Sequence, residues 1–220
     1  MNIKCVHLLS RPDDQREKRS VEQISQLPKH GIERVEIINP PWRGELPPCR
    51  EANDRPFILT EGHYGCWKAH KDAITEYLHD VDALLVCECD CLPVGSMDDF
   101  VARIHRAAEC CVTGNLDAFT LGYRHGGKTL DTIGDDVIVI NQWVETHCYV
   151  IPMKSRKLFL DLFDKPWDTF DYCTTIYLCE QQHRRIGAFA DHPAAVQADG
   201  ESLLNGVVKT TEDYYRHAKH

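Results

Sequence analysis

No stretch of the 220 residues is long and apolar enough to span a membrane. The N-terminus also lacks the basic-then-apolar run of a signal peptide, since Lys4 precedes only a short apolar run before Ser10 and Arg11. Both absences predict a cytoplasmic protein. Among eleven cysteines there is no Cys-x-x-Cys pair, which removes the usual zinc and thioredoxin signatures. The count is odd and the chain too long to need staples, so reduced, packed thiols are expected. Positive charge is short: 25 Lys and Arg face 34 Asp and Glu, for a net charge of −9. That balance argues against a general grip on nucleic acid or an anionic membrane, although a local basic groove around His183-Arg184-Arg185 could override it for nucleic acid. The glycine-rich dinucleotide fingerprint, internal repeats and low-complexity segments are missing too.

What is present is ordinary for a globular protein with a real core: 43% hydrophobic and 27% charged residues, in a length that suits one domain. Ile3 to Leu9 reads as a first strand, and a helix opens at Ser10-Arg11-Pro12-Asp13 with capping-box-like spacing. Val35 to Ile38 reads as a second strand. Arg11 and Arg16 stand just past the first strand, where a diphosphate could be met; Arg16 is read as part of a solvated helix face. The proline-rich segment from Asn39 to Phe57 must be loop. A helix follows through His70, Ile74 and Leu78, with His63, Trp67 and His70 on one face. Met97 to Ala108 is amphipathic, Ala118 to Leu121 is a strand, and Gly122 to Asp136 reads as flexible loop. Two short strands, Val137 to Trp143 and His147 to Ile151, precede a helix from Ser155 to Phe163. Pro166 to about His183 is another helix, followed by strands at Ile186 to Ala190 and Ala194 to Gln197 and a last helix after Thr210. Alternating strands and helices predict an α/β fold with a mostly parallel sheet and helices on both faces.

The chemistry concentrates in Val81-Asp82-Ala83-Leu84-Leu85-Val86-Cys87-Glu88-Cys89-Asp90-Cys91-Leu92-Pro93, an apolar strand that runs into two acids and stops at a proline. Strand alternation would turn Glu88 and Asp90 to one face and Cys87, Cys89 and Cys91 to the other. Paired carboxylates at the carboxyl end of a buried strand lie where open α/β sheets bind ligands, and two hard oxygen ligands suit Mg²⁺ or Mn²⁺ shared with substrate phosphates. A strand end whose acids merely meet solvent is the alternative. Asp168 can cap the helix it opens, with Asp171 favourable against the helix dipole, or either can serve as a base; both roles are open on the sequence alone.

Four segments in fixed order resemble the lipooligosaccharide-type glycosyltransferases, which include bacterial β-galactosyltransferases and the collagen galactosyltransferase domain. They are Leu8-Leu9-Ser10-Arg11-Pro12-Asp13-Asp14-Gln15-Arg16, the stretch Leu59-Thr60-Glu61-Gly62-His63-Tyr64-Gly65-Cys66-Trp67-Lys68-Ala69-His70, the strand ending in Glu88-Cys89-Asp90, and Pro193-Ala194-Ala195-Val196-Gln197 with Ser202. The chain departs from the family pattern at His7 for Asn, Ala69 for Ser, Cys89 for the middle acid and Leu203 for Asp. The resemblance implies a single-domain GT-A fold, with a donor-binding half over about residues 1–115 and an acceptor half over about 116–220. It implies an inverting, metal-dependent transfer from a nucleotide-sugar, a UDP-hexose first, to an acceptor hydroxyl, a glycan first. Asp90 and Glu88 would hold Mn²⁺ or Mg²⁺, with His192 as a further ligand or else a structural histidine. Asp168, then Asp171, would be the base, and Arg11, His70, Glu88 and Gln197 would bind the donor. Rival expectations are a transferase on hydroxylated viral DNA bases, a metal-dependent nucleotidyltransferase or phosphohydrolase, and a catalytically silent binding protein of the same fold.

Overall fold

The structure, a computed structural model, describes residues 1–10, 14–38, 61–122, 128–143, 146–164, 170–198, 200–201 and 208–209. The elements run β1 (Ile3–Leu9), α1 (Gln15–Ile24), β2 (Glu33–Ile38), α2 (Glu61–Tyr77), β3 (Ala83–Cys87), β4 (Cys91–Pro93), α3 (Met97–Thr113), β5 (Ala118–Thr120), β6 (Thr129–Ile133) and β7 (Val137–Ile140). Then come β8 (Cys148–Pro152), α4 (Arg156–Phe163), α5 (Phe170–Cys173) continuing as a π-helical stretch (Thr174–Gln181), β9 (Ile186–Phe189), β10 (Ala195–Gln197), β11 (Gly200–Glu201) and β12 (Val208–Lys209). The proline-rich loop and the last predicted helix lie outside the described residues.

Eight strands form one mixed sheet in the order β2-β1-β3-β8-β5-β9-β7-β6. β8 and β7 run against the other six, so the sheet is mostly parallel, as the alternation of elements predicts. Period-two alternation explains its two cores. Ile3 and Cys5 of β1 and Ala83, Leu85 and Cys87 of β3 face one layer, built with Ile24 of α1 and Phe100 and Ile104 of α3. Val6 and Leu8 with Leu84 and Val86 face the other, built with Trp67 and Ile74 of α2 and Phe159 and Phe163 of α4. Helix α3 starts on a capping box in which the Ser96 hydroxyl accepts the Asp99 N–H at 3.1 Å; such a cap contributes about 1 kcal/mol.

Three local expectations are corrected. The first helix starts at Gln15, because Asp14 is the residue whose carboxylate accepts the Arg16 N–H, at 2.7 Å. Within the segment read as loop, Thr129–Ile133 is the edge strand β6, paired antiparallel to β7. Its side chains are mostly exposed, so it has little apolar pattern to betray it. The central strand ends at Cys87, and Glu88 to Cys91 form a turn closed by the Cys91 N–H on the Glu88 carbonyl at 3.0 Å.

Candidate active site

That turn changes how the two acids meet. Residues 88–91 do not alternate across a strand. Cys87 and Cys91 turn into the core beside Cys148, whereas the Cys89 sulfur accepts a hydrogen bond from the Ser10 hydroxyl at 3.3 Å, at the end of β1. β1 and β3 are parallel neighbours, so both carboxyl ends open on one crevice, as in other open α/β sheets. The β4–β10 ladder lies beside it, with Gln197 opposite Cys91.

Asp90 is 8% exposed. Gln197 donates to its Oδ2 at 2.7 Å, and its backbone carbonyl accepts the Ala198 N–H. Its Oδ1 is buried with no hydrogen-bond partner among the described residues. Burial, then the charge of Glu88, push this carboxyl up to about 6, against the opposing pull of His147, Gln197 and Arg16. An ionised oxygen without a partner is costly, so it is a place where a cation would be welcome.

Glu88 is held differently. Burial alone would raise it, but the His70 hydrogen bond, the nearby His70 and His147 rings and the Thr146 hydroxyl hold it below the usual carboxylate value. Its Oε1 lies 3.1 Å from His70 Nε2 and 3.0 Å from Thr146 Oγ1. An ionised carboxylate only accepts, so Nε2 carries a proton. The other nitrogen, Nδ1, lies 2.6 Å from the Tyr149 hydroxyl, and the fully buried ring stacks on Phe170 at 4.4 Å.

Asp171, in the first turn of α5, joins through Thr146, whose hydroxyl is also 3.1 Å from Asp171 Oδ1. One hydroxyl has one hydrogen and cannot serve two ionised carboxylates at once. Burial and the charge of Glu88 raise the Asp171 carboxyl, so it is the member of the pair that more readily holds a proton.

Of the residues singled out in the sequence, Glu88, Asp90, His70, Asp171 and Gln197 therefore come together in one network. Arg11 and Asp168 lie outside the described residues. His192 is not brought to the acids: it is three residues before the Ala195 end of the β4–β10 ladder, whereas Asp90 lies beyond the Gln197 end. Its ring is half-exposed beside Arg103 and Asp191.

Arg16 corrects another expectation. It is largely buried, donates from Nη2 to Asp14 Oδ2 at 2.9 Å, and feels the charge of Asp90. With Ser10, Asp14, Glu17, Cys89 and Asp90 it lines a small crevice. Arg184 and Arg185, around which a local basic groove could form, pair with Asp117 at 4.0 Å and Asp131 at 2.8 Å. Cys66, Thr146, His147 and Tyr149 were not singled out. Only Cys66 left a local signal, four residues before His70 and so on the same helical face. His147 reaches the site because its backbone carbonyl accepts the Glu88 N–H at 2.8 Å. Room for its ring exists because residue 122 is glycine: a Cβ there would lie 2.7 Å from His147 Cε1.

No protein-family model matches the sequence, and no curated protein does. Among solved structures the chain is similar to a glycosyltransferase involved in glycosylation of the major capsid of PBCV-1, at 12% identity over 80% of this chain and 75% of that one, with a TM-score of 0.45. It is also similar to a mannose-1-phosphate geranyltransferase from Thermus thermophilus, at 11% identity, 86% and 74% coverage and a TM-score of 0.45. A third is a 4-diphosphocytidyl-2C-methyl-D-erythritol synthase from Anaerococcus prevotii, at 9% identity, 99% and 94% coverage and a TM-score of 0.43.

Proposed function

We propose that the chain is a metal-dependent glycosyltransferase that moves a hexose from a UDP-sugar to an acceptor hydroxyl, a glycan first, with inversion at the anomeric carbon. The observation that carries the reading is the buried, unpartnered Oδ1 of Asp90 at the carboxyl ends of β1 and β3, beside Glu88. Asp90 would hold Mn²⁺ or Mg²⁺, with Glu88 adding negative charge from the next position but one. A divalent cation there supplies Lewis acidity that stabilises the growing charge on the nucleoside-diphosphate leaving group. His192 has no part in this set.

The protein's own groups do the rest. Gln197 fixes the Asp90 carboxylate through Oδ2, leaving Oδ1 without a partner among the described residues and so able to take the cation. His70 and Thr146 keep Glu88 ionised. Asp171 is the base that takes the acceptor's proton, and its raised affinity for protons brings it closer to the working pH, where general bases are most effective. Arg16, which lines the crevice with Asp90, would meet the donor diphosphate there, the role the resemblance gives to Arg11.

The test is nucleoside-diphosphate release from a panel of nucleotide-sugars, with Mn²⁺ and with metal removed, for the native protein and Asp90→Asn. Release from one donor, lost without metal and lost in the variant, supports the reading and names the sugar. Release of phosphate from simple phosphoesters instead would favour a phosphohydrolase. Absence of both turnover and metal-dependent nucleotide binding would leave a silent protein and sink the transferase.

A further inference from the structure

Helix α2 sets Cys66 and His70 one turn apart on one face, and that face meets the end of β3 at Glu88. The Cys66 sulfur, a ring nitrogen of His70 and a carboxylate oxygen of Glu88 all lie within 4.8 Å of one another. We propose that Cys66, His70 and Glu88 form a site for a thiophilic divalent cation of the Zn²⁺ class, separate from the position at Asp90.

The supporting partners such a site needs are already in place. A metal-bound histidine is normally fixed through its other nitrogen, and here Nδ1 meets the Tyr149 hydroxyl at 2.6 Å. The Glu88 carboxylate is likewise held by Thr146. Tetrahedral zinc with bonds of about 2.0–2.1 Å sets neighbouring nitrogen and oxygen ligands about 3.3 Å apart. His70 Nε2 and Glu88 Oε1 stand at 3.1 Å, so an ion takes the place of the proton they share after a small adjustment. One thiolate and one carboxylate balance the double positive charge, and the neutral imidazole completes a site with no net charge. On loading, the thiol proton leaves to solvent and the imidazole proton passes from Nε2 to Nδ1, which then donates to the Tyr149 hydroxyl, so the ring stays neutral. Thiolate selects this class of ion over Mg²⁺ or Mn²⁺. Cys66 is only part buried, which gives the ion a way in, and three protein ligands leave a fourth position open.

The other such cluster among the described residues, Cys87, Cys91 and Cys148, is fully buried in the apolar core. Three thiolates there would outweigh the ion's charge in a medium that cannot solvate the excess, so packed thiols are its better description. The proposal at Cys66 stands whether or not the chain transfers sugar, since its test reads the metal alone.

Titration of the reduced protein with Co²⁺ is expected to give thiolate-to-cobalt charge-transfer absorption that Zn²⁺ abolishes. Cys66→Ser should lose the band and Asp90→Asn should keep it. Tyr149→Phe should keep the band but weaken Zn²⁺ binding about 10–100-fold. No band in the native protein, or a band that survives Cys66→Ser, overturns the proposal; the second result would assign the cobalt to other thiols. Should Cys66→Ser fail to fold by circular dichroism, X-ray absorption of the zinc-loaded native protein replaces it. One sulfur at about 2.3 Å is expected there, and none, or three or more, overturns the site.

Discussion

Two acid-bearing regions of this molecule handle charge in opposite ways. Along α3 and the neighbouring loops arginines face acids: Arg106 pairs with Asp136 at 2.8 Å, and Arg103 with Asp191. The hydrogen bond from Arg106 lowers Asp136, and Arg103 brings Asp191 down to about 2 against the effect of its burial. At the ends of β1 and β3 the acids instead face one another. Asp90 and Asp171 are raised by burial and by Glu88, and Arg16, whose charge Asp90 feels, is engaged by Asp14. Paired surface acids serve the fold. Acids left facing each other under cover cost stability, and that cost is what a bound cation would relieve.

The largest effect that sharpens this contrast is expected from Asp90→Asn. It should cut donor cleavage by about 10²–10³-fold, as loss of a main electrostatic contact does in other enzymes, measured as nucleoside-diphosphate release. The same change should stabilise the metal-free protein. The Asp90 carboxyl rises from 3.8 to about 6 on folding. Its stability contribution is therefore complete below about pH 4 and lost as pH rises through about 6, a loss of about 3 kcal/mol at neutral pH. Thermal melts of metal-free native protein should fall across that window relative to Asp90→Asn, and Mn²⁺ should close the gap. A native melt that does not fall would break the contrast at its centre.

Gly122→Ala should destabilise by about 1–3 kcal/mol in denaturant melts, because the new methyl meets the His147 ring. A displaced ring would also weaken its hold on Glu88 and Asp90, lowering turnover further than stability explains. Thr146→Val removes the hydroxyl shared by Glu88 and Asp171. The Thr146 bond lowers Asp171, so its loss should move the acidic limb of the pH–rate profile upward. An unmoved limb would take Asp171 out of the base's role.

On the paired side, Arg106→Ala should cost at most about 1 kcal/mol. Asp136 is lowered on folding, so the stability of its pair is present above about pH 4 and fades as pH falls below it. The pH dependence therefore runs opposite to that at Asp90. Smallest of all, His192→Ala should leave metal-dependent turnover unchanged, because the β4–β10 register places that ring at the far end from Asp90. A large loss of turnover would return His192 to the site.

Some of this was legible in the chain alone. Ile3 to Leu9 and Ala83 to Cys87 carry their apolar patterns in consecutive residues, so their existence, their burial and the placing of Glu88 and Asp90 at the carboxyl end of a strand follow from local sequence. The same holds for Cys66 and His70, whose shared face follows from helical spacing. What the tertiary structure alone decided is which residues meet those acids. Thr146 and His147 arrive through the antiparallel register of β8 on β3, Gln197 through that of β10 on β4, and Asp171 through the docking of α5 beneath His70 and Trp67. Even the turn at Glu88 to Cys91, which sends neighbouring cysteines to different places, depends on where β4 must go to pair. Side-chain periodicity is a property of neighbours along the chain. Which strands become neighbours is decided by contacts between residues many tens of positions apart, and the local pattern, which fixes the buried face, does not carry that choice.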